Sequence, residues 1–225
     1  MIAALAGKVA LVTGATGGIG SQIVRRLAQE GASVVVGYNS SQQAADELAS
    51  SLAAGHLLVA VAAVTDSDGL AGLAGLIHER FGRLDILVNC AGVTRFVPHS
   101  DLDGLDDALI DRILTVNVRG VIATTRAMRP LLDRAGEGLI ANISSIAGVT
   151  AMGSNIAYCA SKAAVDNLTK SLARALAPKI RGVSVAPGVG DTDFIKGRDG
   201  SWRGAPRLRF ATGVIIPVDG GRPLT

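Results

Sequence analysis

The stretch Lys8–Gly20, K-V-A-L-V-T-G-A-T-G-G-I-G, decides the fold. Its first six residues are an apolar run rich in β-branched side chains, the composition of a strand buried on both faces. The next seven are a glycine-rich turn, and an amphipathic segment, Ser21–Glu30, follows and stops at Gly31. Strand, glycine turn and helix in that order form the context in which a turn can hold a phosphate on backbone N–H groups. Gly14 allows the tight turn, and Gly18 and Gly20 let backbone and helix N-terminus come close to a pyrophosphate. The spacing G-x-x-x-G-x-G differs from the general dinucleotide fingerprint.

Outward from this stretch the alternation repeats. Strands are expected at Ser33–Gly37, Leu57–Val61, Asp85–Asn89, Leu139–Ile143, Gly182–Ala186 and Val214–Val218. Helices are expected at Asp46–Ala54, Asp66–Phe81, as a pair over Leu105–Arg134, and at Ile156–Ala177. The pattern implies βαβ units and an α/β fold: a doubly wound parallel sheet of Rossmann type in three layers, with the ligand at the carboxyl ends of the strands. No repeat, low-complexity segment or linker interrupts residues 1–225, so one domain is expected.

Composition narrows the function. The hydrophobic fraction is 48% but only 3% of residues are aromatic, which calls for an aliphatic core. The net charge of +3 comes from basic residues that are scattered, apart from Arg203, Arg207 and Arg209. That argues against nucleic acid and suits a cleft for a phosphorylated cofactor. Cys90 and Cys159 have no metal or redox spacing, and His56, His78 and His99 are far apart, so no metal is expected. The N-terminus has no basic leader and the longest apolar run, Leu57–Val64, is too short to span a membrane. A soluble, cytoplasmic protein is the default expectation.

The chemistry is written between Ser145 and Lys162. Tyr158 and Lys162 stand at i and i+4, on one face of the expected helix. A free tyrosine has a pKa of about 10. A neighbouring ammonium favours the phenolate, so Lys162 is expected to lower the Tyr158 pKa and fit it for acid–base work near neutrality. Ser145, just after a strand, can hold the reacting oxygen.

Taken together, T-G-A-T-G-G-I-G (Thr13–Gly20), N-C-A-G (Asn89–Gly92), Asn117 in V-N-V-R-G, N-I-S-S (Asn142–Ser145), Y-C-A-S-K (Tyr158–Lys162) and Pro187-Gly188 resemble the short-chain dehydrogenase/reductase superfamily. The likeness is greatest to its 3-oxoacyl-(acyl carrier protein) reductase-like members, and the motifs lie in order over nearly the whole chain. The resemblance implies that Tyr158 donates or accepts the proton. Lys162 would lower its pKa and bond the nicotinamide ribose, Ser145 would position the substrate carbonyl, and Asn117 would hold a water of the proton relay. It implies cofactor contacts from Gly14, Thr16, Gly18, Ile19 and Gly20. Asn89, Ala91 and Gly92 would lie beside the adenosine and ribose, the backbone of Val64 at the adenine, and Pro187, Gly188 and Thr192 around the nicotinamide. It also implies a small carbonyl or alcohol substrate, with an acyl thioester as one candidate. Assembly as a homo-oligomer, a tetramer or dimer through the Tyr158 helix and the C-terminal strand, is implied too. A cofactor-binding protein with little turnover, acting as a sensor or assembly partner, is the alternative.

Charge bears on the cofactor. An NAD site often places a carboxylate at the end of the second strand. Here Tyr38, Asn39, Ser40 and Ser41 are uncharged, and no acid appears before Asp46. Asn39, Ser40 and Ser41 can donate to a 2′-phosphate, which favours NADP, with NAD as the alternative; no arginine stands in the turn or at the strand end.

Three features depart from the family pattern. Ala63 stands where an aspartate usually meets the adenine, and Val183 replaces an asparagine of the sixth strand. Between Gly188 and Gly213 the family's substrate lid and last sheet helix are short by about 20 residues. Either the chain lacks them, or a segment between Gly197 and Leu208 is missing from these residues. Loss of the helix would bare an aliphatic face at a cost of about 25 cal/mol per Å², which favours the second reading.

Overall fold

The computed structural model describes residues 3–52, 57–188 and 214–218. Seven parallel strands form one sheet in the order β3-β2-β1-β4-β5-β6-β7. They are β1 (Val9–Thr13), β2 (Ser33–Tyr38), β3 (Leu57–Val61), β4 (Ile86–Asn89), β5 (Gly138–Ile143), β6 (Ile180–Pro187) and β7 (Val214–Val218). The helices are α1 (Gly18–Gln29), α2 (Gln42–Ser50), α3 (Ser67–Phe81), α4 (Asp107–Leu114), α5 (Gly120–Ala135), α6 (Ala147–Thr150) and α7 (Ile156–Leu176). This is the doubly wound α/β architecture expected from the alternation.

Local chemistry sets the helix ends. The Asp66 carboxylate accepts from the N–H groups of Asp68 and Gly69 and starts α3, and Gly82 at φ 74° ends it. Asp106 caps α4 by accepting from Leu109 N at 2.7 Å. Asn155 caps α7 by accepting from Tyr158 N at 2.7 Å. Such caps supply partners to N–H groups the helix leaves free. The second helix begins at Gln42, four residues before the expected Asp46, with Ser41 at its N-cap position. The short α6 was not expected from the sequence.

The two faces differ. Helices α1 and α2 pack on β1, β2 and β3, while α5 and α7 pack on β4, β5 and β6 from the other side. Leu11, Leu87 and Ile140 are fully buried under α3 and α5 with Leu73, Ile77, Met128 and Leu132. On the α1 side the register aligns Ala141 with Val183 and Ile143 with Val185. There Ile86, Leu139, Ala141, Ile143 and Val185 are only half-buried, and no helix among the described residues lies over them. The aliphatic face that a lost sheet helix would expose is therefore present.

Candidate active site

The strands β1, β4 and β5 end around one cleft of about 430 Å³. The turn after β1 forms its floor. Gly14 has φ +63°, and a Cβ there would lie 2.8 Å from the Ala91 Cα; a Cβ on Gly20 would lie 2.2 Å from the Gly14 carbonyl oxygen. Side chains are thus excluded where the turn, the start of α1 and the end of β4 meet. The Thr13 hydroxyl holds that meeting point, accepting from Cys90 N at 3.1 Å and Ala91 N at 3.2 Å. The first N–H groups of α1 have no intrahelical acceptor and open toward the cleft, the arrangement that takes an anion.

On the far wall stand Ser145, Tyr158 and Lys162. Tyr158 and Ser145 face the cleft together, and Ser145 Oγ accepts from Ala147 N at 3.2 Å. Ser144 is turned away, donating to the Lys162 carbonyl at 3.1 Å. Lys162 Nζ donates to the Ile143 carbonyl at 2.8 Å and lies 5.6 Å from the centre of the Tyr158 ring. Asn117 is buried one layer behind. Its amide donates to Val93 O and Ser161 Oγ, both at 3.1 Å, and its Oδ1 accepts from Val93 N at 2.8 Å.

Asn117 sits in a single π-helical turn, Thr115–Arg119, between α4 and α5. Helical periodicity reads this stretch as a continuous pair and gives no sign of the wider turn. A π turn aims a residue off the regular helical face and is common at functional sites.

Most of the residues expected to hold the cofactor line this cleft: Gly14, Thr16, Gly18, Ile19, Gly20, Asn39, Ser40, Val64, Ala91, Gly92, Pro187 and Gly188. Two do not. The Asn89 amide donates to Asn142 Oδ1 at 2.9 Å and to Thr125 Oγ1 at 3.4 Å, beneath the sheet end rather than in the cleft. Tyr38 is buried with Val12, Val24 and Leu48, because strand alternation turns it away from Asn39. Thr192 lies outside the described residues. Arg112 and Met152 also line the cleft, and the sequence analysis missed both. No pattern in the chain announces Arg112, which comes from α4, far in sequence from the other walls.

The electrostatics correct one expectation. Burial pushes the Tyr158 hydroxyl up to about 12, and the Ser145 hydrogen bond only partly offsets this. Burial likewise pulls Lys162 down to about 8, against smaller upward effects of Cys90 and Asp166. Desolvation is the largest effect on both groups. Tyr158 therefore holds its proton at neutral pH instead of approaching the phenolate.

The fit to a dinucleotide is good on this geometry: a turn free of side chains, a helix start, and beyond them a wall of hydroxyls and one ammonium. No carboxylate lines the cleft among the described residues. No cluster of His, Cys, Asp or Glu suited to a metal occurs among them, and none of their helices is long and apolar enough to cross a membrane.

Comparison with known proteins agrees with this geometry. The family model of the short chain dehydrogenases matches residues 8–200. The chain is 33% identical to the 3-oxoacyl-[acyl-carrier-protein] reductase of Thermotoga maritima, over 96% of this chain and 98% of that one. It is 35% identical to cis-4-hydroxycyclohexanecarboxylate dehydrogenase of Sinomonas cyclohexanicum, over 97% of each. Among solved structures, the 3-ketoacyl-(acyl-carrier-protein) reductase of Brucella melitensis complexed with NADH superposes with a TM-score of 0.86, at 32% identity over 97% of this chain and 99% of that one. A short chain dehydrogenase of Burkholderia cenocepacia in complex with NADP also gives 0.86, at 33% identity over 97% and 98%.

The Sinomonas alignment has 246 positions but takes in 97% of 225 residues, about 218, so about 28 positions have no residue from this chain. Gly197–Leu208, where the choice between a chain without the lid and a missing segment would be decided, lies outside the described residues. On the motifs, the sheet order and these matches, the chain is a member of the short-chain dehydrogenase/reductase family.

Proposed function

We propose that the protein is an NADP-linked reductase of ketones, with a 3-oxoacyl thioester or a similar small carbonyl compound as substrate. The observation that carries this reading is the placement of Ser145 and Tyr158 on one cleft wall, with Lys162 one turn beyond Tyr158 on the same helix. When bound, the cofactor supplies the hydride. The chain supplies position and a proton. The Ser145 and Tyr158 hydroxyls hold the substrate carbonyl oxygen between them, and Tyr158 gives that oxygen its proton. A hydroxyl kept protonated by burial can take the acid's part in reduction. Lys162 holds the nicotinamide ribose and, with a water at Asn117, returns a proton to Tyr158.

Relatives bind both NADH and NADP, so the coenzyme must be argued from this chain. Asn39 and Ser40 put uncharged donors at the end of β2, where a carboxylate would repel a 2′-phosphate. The test is oxidation of NADPH and NADH, side by side, with a short 3-oxoacyl thioester and then a ketone panel. Turnover with NADPH that Tyr158→Phe abolishes supports the reading. Tight cofactor binding without turnover on any ketone moves the protein to the second reading, a cofactor-binding sensor or assembly partner. The chain's shortfall against its relatives is the observation that keeps that reading in view.

A further inference from the structure

The cleft poses a question about charge. Its site for an extra phosphate, Asn39 and Ser40, carries no cation of its own. Of the described residues that line the cleft, only Lys162 and Arg112 are basic. Lys162 is buried and committed to Ile143. Arg112 is exposed, and no hydrogen bond or ion pair engages it among the described residues.

Its neighbours explain why it is uncommitted. Elsewhere arginines pair along a helix, as Arg26 does with Glu30 and Arg129 with Asp133. Around Arg112 the positions three and four residues away are Ala108, Leu109, Thr115 and Val116, none of them acidic. Asp106, at the N-cap of the same helix, is taken by Arg95 at 2.8 Å. A role in capping a helix end fails as well. The chain continues from α4 into the π turn and α5, and the carbonyls of Asp111 and Arg112 already accept from Thr115 N.

The chain that carries Arg112 runs on through the π turn to contacts at the end of β3. Arg119, two turns on, donates to the Thr65 carbonyl at 3.0 Å, just past β3. A Cβ on Gly120 would lie 2.8 Å from Val64 Cγ2. The end of β3 is joined in turn to the end of β2, Ala62 N donating to Tyr38 O at 2.6 Å. Arg112 lines the cleft together with Val64, Asn39 and Ser40, and it also borders the neighbouring groove of Val93, Arg95 and Leu109.

We propose that Arg112 supplies, from α4, the positive charge with which this cleft prefers an adenosine 2′-phosphate. The inference rests on the NADP reading above and gives it a residue. An arginine is charged at any working pH and suits phosphate geometry. With no carboxylate among the described residues that line the cleft, none of them cancels its field there.

The experiment is direct binding to the full-length protein of NADPH, NADH, 2′,5′-ADP and 5′-AMP, for the wild type, Arg112→Gln and Arg112→Lys. The two adenosine nucleotides probe this half of the cleft without chemistry or nicotinamide. Arg112→Gln is expected to weaken NADPH and 2′,5′-ADP by about fivefold, the scale of one partly exposed charge pair. NADH and 5′-AMP should stay within about twofold, a shift small on the scale of that pair. Arg112→Lys should restore most of the loss, and added salt should shrink the wild-type preference.

Equal weakening of phosphorylated and unphosphorylated ligands, or no weakening, overturns the proposal while leaving the NADP reading intact. A wild type that binds NADH as tightly as NADPH overturns that reading and the proposal with it. Arg112 is exposed, so an unchanged melting temperature identifies the variants as folded.

Discussion

Two charged side chains are buried at opposite ends of the sheet, and they are treated in opposite ways. Asp85, at the amino end of β4, is 2% exposed and has its oxygens filled. Lys8 Nζ reaches Oδ1 at 3.1 Å, Val9 N and Arg83 Nε each reach Oδ2 at 3.0 Å, and a second Arg83 nitrogen bonds Oδ1. Burial works to raise its pKa, but these partners prevail and hold the carboxyl below its usual range. Lys162, near the carboxyl end of β5, is 6% exposed and has a carbonyl for a partner instead of a carboxylate. Burial prevails there and the ammonium is weakened. Charge at the amino end is satisfied and holds strands together. At the carboxyl end it is left short of a partner, which is what a site awaiting a polar ligand requires.

The sharpest separation of the two ends comes from Tyr158→Phe. Removing the hydroxyl should lower ketone reduction by about 10³-fold, within the range of a lost acid–base group. Stability should be nearly unchanged, since the ring stays packed with Ala147 and Cys159. Steady-state kinetics and a thermal melt on the same preparation check both halves. A variant that melts far below the wild type would show that the hydroxyl serves the fold.

Asp85→Asn should do the reverse. It keeps the shape but removes the charge that Lys8 and Arg83 share. Breaking a buried pair is severe, though both cations are part-exposed and can turn to water, so a loss of about 3 kcal/mol is expected. Denaturant unfolding should show it, with turnover per folded molecule unchanged. Because the native carboxyl has a depressed pKa, its stabilisation is present above the ordinary carboxylate range and fades as acid is added. The variant's curve should meet the wild type's at low pH.

The same contrast shows what a sequence reader can and cannot see. Apolar runs separated by amphipathic ones reveal the order of strands and helices, because burial on two faces or one is written into neighbouring residues. The motif residues Ser145, Tyr158 and Lys162 are legible because one strand end and one helix turn bring them together. Asn89 misled because its direction depends on packing with Asn142, distant in the chain, and Tyr38 because strand alternation turns it inward, away from Asn39. The Tyr158 pKa misled for a related reason: the i, i+4 spacing shows the ammonium but not the desolvation. Arg112 and the π turn left no local mark at all.

The smallest effect tests the weakened ammonium itself. The Lys162 pKa falls from 10.5 to about 8 in the folded chain. Below pH 8 both folded and unfolded chains hold the proton, and the fold bears the full burden of a buried cation. Between about 8 and 10.5 the folded chain has released it while the unfolded chain still binds it. Stability tied to this group therefore rises with pH across that window. Lys162→Met removes the cation and keeps much of the shape, so at pH 7 it should be more stable than the wild type by about 2 kcal/mol, while reducing no ketone. The difference should close by about pH 10.5, as the wild type sheds its penalty. A difference that persists unchanged would mean that folding does not shift the Lys162 pKa, and the two ends of the sheet would then not differ as described. Closure over the window would show that the carboxyl end gives up stability to keep an ammonium ready for a ribose.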